Sequence, residues 1–138
     1  MKTTSQALRW PLRIAAVLAV GFGLLTIKSG GAVLAGGDAA RAAGQVVPFV
    51  LWFNFLAGFA YVAVGIGLWL RRRWAAWLAV CVAAATLAVF AAFGLHVAAG
   101  GEYETRTVGA MILRSAVWIA IAALACRALG CRARHTRI

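Results

Sequence analysis

The composition of this chain is that of an integral membrane protein. Of its 138 residues, 64% are hydrophobic and 12% are charged, whereas soluble domains carry about 25% charged residues. Four spans of about 20 residues nearly exhaust this length, so no separate soluble domain is expected. The net charge of +11 does not indicate nucleic-acid binding, because the basic residues flank apolar segments and form no basic face outside them.

The first apolar segment, Ile14 to Ile27, follows a start that carries three basic residues. The pattern is typical both of a secretory signal peptide and of a first transmembrane helix. We favour a helix over about residues 11–28, with Trp10 as an anchor at the membrane interface and Pro11 in the first turn.

The stretch from Lys28 to Val47 is rich in Gly and Ala and lacks strong periodicity. It predicts a loop, with Lys28 closing the first span and extending its amine toward the surface. Within this loop, Ala39 to Ala43 predicts a short interfacial helix whose N-cap is Asp38.

Two long apolar runs, 48–70 and 74–98, are joined by three consecutive arginines at 71–73. At 1.5 Å per residue, each run makes a helix of roughly 35 Å, which is enough to cross a hydrocarbon core of about 30 Å. Three arginines cannot lie in lipid. We therefore expect two spans with a hairpin turn in water between them.

A fourth span is predicted over about 108–129, and a basic tail follows Gly130. Cys81 lies in the third span, while Cys126 and Cys131 lie near the end of the fourth. Reduced thiols that pack in the fold are the favoured interpretation. A redox pair of Cys126 and Cys131 is the alternative, which we disfavour because a spacing of five places two side chains well apart around an α-helix.

The distribution of basic residues predicts the orientation. The start of the chain, the 71–73 turn and the C-terminal end carry ten Lys and Arg residues, against three in the two other loops. The positive-inside rule therefore places both termini in the cytoplasm, and we expect a bacterial-type inner membrane. The predicted fold is all-α, a single membrane domain built as a bundle of four transmembrane helices.

One face of the second span combines small and polar residues. Asn54, Gly58, Tyr61 and Gly65 follow one another at i, i+4, i+7 and i+11, which places them along one helical stripe. Small residues let a neighbouring helix approach closely, and polar groups in lipid need partners. We expect this face to point into the bundle.

Three polar residues on different spans are predicted at a similar depth. Asn54 and Arg114 each lie about 9 Å below the predicted outer ends of their helices, and His96 lies within a turn of the same surface. Ionisable residues inside spans are the default sign of function in membrane proteins. We therefore predict an outward-facing pocket for a polar headgroup or a quinone-like ring. The candidate ligand-binding residues are Asn54, Tyr61, His96, Glu102, Glu104 and Arg114.

These residues also have purely structural interpretations. Arg114 would extend to lipid phosphates or nearby carboxylates, Asn54 would bond a carbonyl across a helix contact, and His96 would be an ordinary interfacial side chain. No catalytic residue is predicted. Haem and zinc are set aside, because His96 and His135 fall on opposite sides of the membrane and no zinc motif is present. A quinone stays open as a cofactor.

Four different short motifs are spaced along the chain. They are Leu12-Arg13-Ile14 at the entry of the first span, Gly23 followed by Lys28, Ala57-Gly58 leading to Gly65-Ile66-Gly67-Leu68 before a basic turn, and a His at the end of the third span. With these motifs the chain resembles the DoxX-like membrane proteins from Leu12 to Leu129. The resemblance implies a four-helix bundle. Some such proteins serve as membrane subunits of sulfur- or quinone-linked oxidoreductase systems, and many have no assigned role. The resemblance carries over no catalytic residue, because the matching positions are structural glycines and one Lys.

Two functional classes stay open. The first is a membrane anchor or accessory subunit that provides a quinone or lipid pocket to a soluble redox partner protein. The second is a self-contained small transporter or channel formed as a homo-oligomer, since faces of small residues are plentiful. A stand-alone enzyme ranks third. The lipid bilayer is the surrounding partner in every case.

The predicted orientation can be tested with single cysteines introduced at Ala40 and Tyr103 in a variant that lacks the native cysteines. We expect a membrane-impermeant thiol reagent to label both positions from outside the cell, because both lie in the loops that carry few basic residues. Labelling from the cytoplasmic side alone would contradict the orientation.

Overall fold

The computed structural model describes residues 6–131, and all regular elements in this range are helical. The four long helices are apolar and long enough to cross a membrane, which confirms the predicted all-α bundle of four transmembrane helices. The elements are α1 (Arg9–Ala35), α2 (Asp38–Ala43), α3 (Pro48–Trp69), α4 (Arg73–Ala98) and α5 (Thr105–Ala125), followed by a π-helical turn (Cys126–Gly130).

Each long helix packs against the next one along the chain. The contact between α1 and α3 is the most extensive, and α4 packs on both α3 and α5. Close backbone approaches between α1 and α5 are few. The bundle is therefore tight on three sides and loose along the seam where its first and last helices meet.

The first helix is longer than predicted. It continues past Lys28 and ends at Ala35, where Gly36 adopts a φ of 87°. The predicted loop contains Gly30, which faces Phe55 of α3 so closely that an added Cβ would lie 3.3 Å from the Phe55 Cβ. Packing on α3 thus extends a segment whose glycines argued for a loop.

The short helix α2 is present at the predicted place. Asp38 begins it, but its side chain makes no N-cap hydrogen bond. Instead, its carboxylate pairs with the Arg41 guanidinium at 3.0 Å, and both side chains are exposed. Solvent screens an exposed pair of this kind and leaves it little net stabilising effect, so α2 depends on its surroundings for stability.

Glycines allow α1 and α3 to pack backbone to backbone. A Cβ on Gly58 would lie 2.7 Å from the Ile27 Cγ1, and a Cβ on Gly65 would lie 2.7 Å from the Ala16 carbonyl oxygen. Gly58, Tyr61 and Gly65 are buried, as the stripe on the second span predicted. The prediction that this face points into the bundle is confirmed.

The hairpin between α3 and α4 ends α3 with a Schellman motif. The Arg72 amide donates to the Gly67 carbonyl at 2.8 Å, and the Arg71 amide donates to the Leu68 carbonyl at 3.1 Å. Arg71 adopts a φ of 55° at the position where glycine is usual. Residues 71–73 are all exposed, as expected for a turn in water.

The C-terminal end differs from our prediction of reduced thiols. Cys126 and Cys131 form a disulfide, whereas Cys81 is free and exposed. The intervening Cys126–Gly130 segment is π-helical, and a π-helix repeats its hydrogen bonds at i to i+5. This register, together with the φ of 82° at Gly130, brings the two Cα atoms to 4.8 Å, which the α-helical geometry that we assumed would not allow.

The glycine contacts give a test of the α1–α3 interface. Gly58→Ala and Gly65→Ala should each destabilise the protein by about 1–3 kcal/mol, because the added methyl groups overlap α1. Thermal unfolding in mild detergent measures this change. Gly94→Ala and Gly109→Ala are matched controls, since a Cβ at either position meets nothing within 4 Å. Equal melting temperatures for the two pairs would contradict the interface.

Candidate functional site

A cavity of about 280 Å³ opens at the predicted outer end of the bundle. We call it the outer cavity. It lies among α1, α3, α5 and the segment that contains α2. Its wall includes Val33, Val50, Asn54, Glu104, Thr107 and Ala110. Asn54 and Ala110 are the wall residues farthest from the outer ends of α3 and α5, so they form its inner end.

Glu104 and Arg106 fix the segment that covers the outer cavity. The Glu104 carboxylate accepts a hydrogen bond from the backbone N–H of Gln45 at 2.9 Å, and the Arg106 guanidinium donates to the Ala42 carbonyl at 3.1 Å. Both bonds join the start of α5 to the chain around α2. Glu104 therefore lines the cavity while its carboxylate holds the cover in place.

Arg114 lies one helical turn deeper than Ala110 on the same face of α5. It is only 8% exposed, and its Cζ lies 5.5 Å from the centre of the Phe22 ring. Phe22 stacks on Tyr61 with ring centroids 5.7 Å apart, and Tyr61 contacts Trp118 at 4.5 Å. These four residues and Ser115 form what we call the Arg114 cluster.

The Arg114 cluster holds an unusual concentration of unsatisfied polar atoms. Each buried polar atom without a hydrogen-bond partner costs about 1–3 kcal/mol, and more when it carries charge. Within residues 6–131, the buried side-chain atoms without a partner of good hydrogen-bond geometry are Asn54 Oδ1, Tyr61 Oη, Arg114 Nε and Nη1, Ser115 Oγ and Trp118 Nε1, although the buried Thr86 hydroxyl lies near Tyr61 Oη. Four of these five residues belong to the Arg114 cluster, and the fifth lies at the inner end of the outer cavity.

The chain offers Arg114 no carboxylate inside the membrane. Its three acidic residues are Asp38, Glu102 and Glu104, and all three lie outside the four long helices. Contact with the Phe22 ring compensates part of the charge by a cation–π interaction. It leaves the Nε and Nη1 donors of Arg114 without acceptors.

The six residues predicted as ligand-binding fall into three groups. Asn54 and Glu104 line the outer cavity, while Tyr61 and Arg114 lie in the Arg114 cluster. The other two, His96 and Glu102, are elsewhere. The His96 Nε2 lies 3.2 Å from the Glu102 carbonyl oxygen, and its ring contacts Phe49 edge-on at 6.1 Å. The structure therefore does not bring His96 to Asn54 and Arg114.

Sequence reasoning missed three members of the Arg114 cluster. Ser115 and Trp118 have a local signal, because they lie one and four residues after Arg114, on the buried side of α5. Phe22 has no such signal, since it is one apolar residue among many on α1. Among the described residues, no group of His, Cys, Asp and Glu is arranged to hold a metal ion.

Comparison with known proteins finds no family model, no curated protein and no solved structure that matches this chain. The resemblance to DoxX-like proteins therefore stays a prediction.

The cost of burying Arg114 can be measured. Arg114→Met in protein stripped of bound lipid should raise the melting temperature in detergent, by about 1–4 kcal/mol of stability, because an apolar side chain of similar length needs no acceptors. Arg127→Met is the control, since Arg127 is exposed beyond the end of α5, and it should change stability by no more than about 0.5 kcal/mol. A lower melting temperature for Arg114→Met would mean that the fold itself satisfies the arginine.

Proposed function

We propose that the protein is a small inner-membrane subunit that holds a quinone or lipid in an outward-facing pocket and serves a redox partner as anchor or accessory subunit. One observation carries the ligand-binding part. Arg114 is buried beside an aromatic stack, with guanidinium donors that lack acceptors. A ligand with oxygen acceptors would satisfy these donors.

The surroundings of Arg114 suit a ligand with a polar head and an apolar body. The Arg114 cluster supplies donors from Arg114 and Trp118, together with the hydroxyls of Tyr61 and Ser115. The Phe22 ring, which stacks on the buried Tyr61 ring, provides an apolar wall beside Arg114. Binding sites for small molecules commonly combine such apolar walls with a few convergent polar groups. The inner end of the outer cavity, at Asn54 and Ala110, lies one helical turn above Arg114.

A channel through a single bundle is less well supported. Toward the predicted cytoplasmic end, the described part of the core is closed by buried apolar side chains, which include Leu12, Val64, Leu68, Ala75, Ala76 and Ala79. Below the Arg114 cluster and the buried Thr86, these apolar side chains offer no polar lining that would carry water or ions. The transporter or channel alternative would therefore need a path between copies of the chain.

The link to a redox partner has two sources. The first is the resemblance to DoxX-like proteins. The second is the Cys126–Cys131 disulfide, which lies on the side that the basic residues predict to be cytoplasmic. Disulfides in the cytoplasm of mesophiles are usually transient and serve redox chemistry. Both considerations favour a soluble oxidoreductase on the cytoplasmic side.

Retention of ligand during purification in mild detergent tests the proposed pocket. Mass spectrometry of extracts should find a bound quinone or lipid in the parent protein. Arg114→Lys should lose it by about tenfold or more, because an ammonium group cannot replace the planar guanidinium fork. Asn54→Ala should lose it to a smaller extent, since it removes one neutral acceptor and donor pair.

His96→Ala is the matched control, because the structure places His96 away from the outer cavity and the Arg114 cluster. It should retain ligand as the parent does. If Arg114→Lys also retains ligand like the parent, the pocket is wrong and Arg114 acts as a topological anchor.

A further inference from the structure

A groove runs along the loose seam between α1 and α5. It has a volume of about 410 Å³ and faces the lipid. We call it the α1–α5 groove. Its walls are apolar and include Pro11, Ile14 and Leu18 of α1 and Val117, Ile121 and Leu124 of α5. It extends from near the predicted cytoplasmic end of the bundle toward its middle.

The α1–α5 groove ends at Arg114. Phe22 lies four residues after Leu18 on α1, and Arg114 lies three residues before Val117 on α5, so each is the next residue on the same helix face. The contact between Arg114 and Phe22 therefore closes the upper end of the groove. Arg114 does not line the groove itself, so a molecule in the groove reaches the guanidinium by extending past Leu18 and Val117 and displacing the Phe22 ring from it.

The positive charge of Arg114 favours an acid group at the upper end of such a molecule. A quinone carbonyl would accept hydrogen bonds from Arg114 and leave its positive charge uncompensated in a region of low dielectric constant. An acid group would accept the same bonds and neutralise the charge. The four long helices contain no Asp or Glu, so a bound acid would have no carboxylate of the protein near it to repel it.

The depth of Arg114 in the membrane and the small space around it favour a compact acid group on one alkyl chain. Arg114 is nine residues into α5, about 13 Å from its outer end, whereas phospholipid phosphates lie outside the hydrocarbon core. The Nε and Nη1 atoms of Arg114 are buried and its Cζ lies 5.5 Å from the Phe22 ring centre, so a group that displaces the ring and pairs with the guanidinium has to be small. A carboxylate is compact and pairs with arginine through two parallel hydrogen bonds.

We infer that the ligand is a long-chain carboxylate, with its acid group on Arg114 and its alkyl chain in the α1–α5 groove. This inference rests on the proposed function, since it names the ligand class of the same pocket. It adds that the ligand is an anion and that its chain leaves the bundle sideways into the lipid.

Binding of palmitate to the purified, delipidated full-length protein in mild detergent tests this inference. Hexadecanol has the same chain without the charge, decylubiquinone represents a neutral quinone, and dioleoyl phosphatidylglycerol represents a phosphate headgroup. We expect palmitate to bind at least about tenfold more tightly than the other three, as measured by native mass spectrometry and thermal shift. Arg114→Gln should abolish that preference, and Arg114→Lys should keep part of it because the charge remains.

The position of the chain needs a separate pair of variants. Leu18 lines the groove and Leu25 does not, yet both are on α1 and more than half exposed, at 59% and 66%. Leu18→Trp should fill the groove and weaken palmitate binding by about tenfold, while Leu25→Trp should bind as the parent does. Equal binding by the two variants would overturn the placement of the chain.

The probes separate the failure of this inference from that of the pocket. If decylubiquinone binds through Arg114 and palmitate does not, the pocket stands and the carboxylate is wrong. If phosphatidylglycerol competes equally with palmitate and depends on Arg114, the acid is a phosphate and the inference is again overturned. If no probe depends on Arg114, both the inference and the proposed function fail.

Discussion

The close contact between α1 and α3 determines the rest of the arrangement. Glycines at 23, 58 and 65 bring the two backbones together so tightly that a methyl group at any of them would overlap the other helix. In lipid, this packing is a main source of helix association, because there is no hydrophobic force between apolar helices. Drawing α1 onto α3 places Phe22 on Tyr61 and leaves α1 apart from α5, so the aromatic stack and the open groove have one cause.

Arg114 lowers the stability of the fold, which suggests that it is present for function. A bare guanidinium in the bundle raises the free energy of the folded state, and the Phe22 ring compensates only part of this cost. Sequences that keep such a residue usually keep it for function, because apolar substitutes of similar size fold as well or better. Within residues 6–131, the five residues with buried unsatisfied side-chain atoms are on α3 and α5, so the cost falls on these two helices.

Much of the architecture could be predicted from the sequence, because lipid imposes strong constraints. Apolar length fixed the four spans, and the small-residue stripe identified the buried face of α3. The extension of α1 to Ala35 could not be predicted, since glycines that favour a loop by local propensity are held helical by packing on Phe55. The pairing of Cys126 with Cys131 was missed because it depends on a local π-helical register.

The site was predicted only in part, for a physical reason. Depth can be counted along a helix only as well as its end is known. Asn54 and Arg114 were predicted at the same depth, but α5 begins at Thr105, so Arg114 lies about 13 Å from the outer end of its helix against about 9 Å for Asn54. The direction in which a side chain points around the bundle axis depends on how the helices pack. The prediction that His96 points toward Asn54 and Arg114 had no basis of this kind. Its distance from the outer cavity follows from the rotation of α4, which turns the ring toward Phe49 and the Glu102 carbonyl.

A site built in this way makes stability depend on ligand. Had an acidic residue on α1 faced Arg114, the two charges would have neutralised each other and closed the seam between α1 and α5. With no acid in the long helices, neutralisation has to come from a bound anion. A ligand that binds the folded state alone adds about 2.7 kcal/mol of stability at a concentration of 100 Kd, which is comparable to the cost of one unpaired buried charge. In the proposed complex, the occupied bundle is thus the better-satisfied form, and the open seam between α1 and α5 holds the alkyl chain of the bound acid.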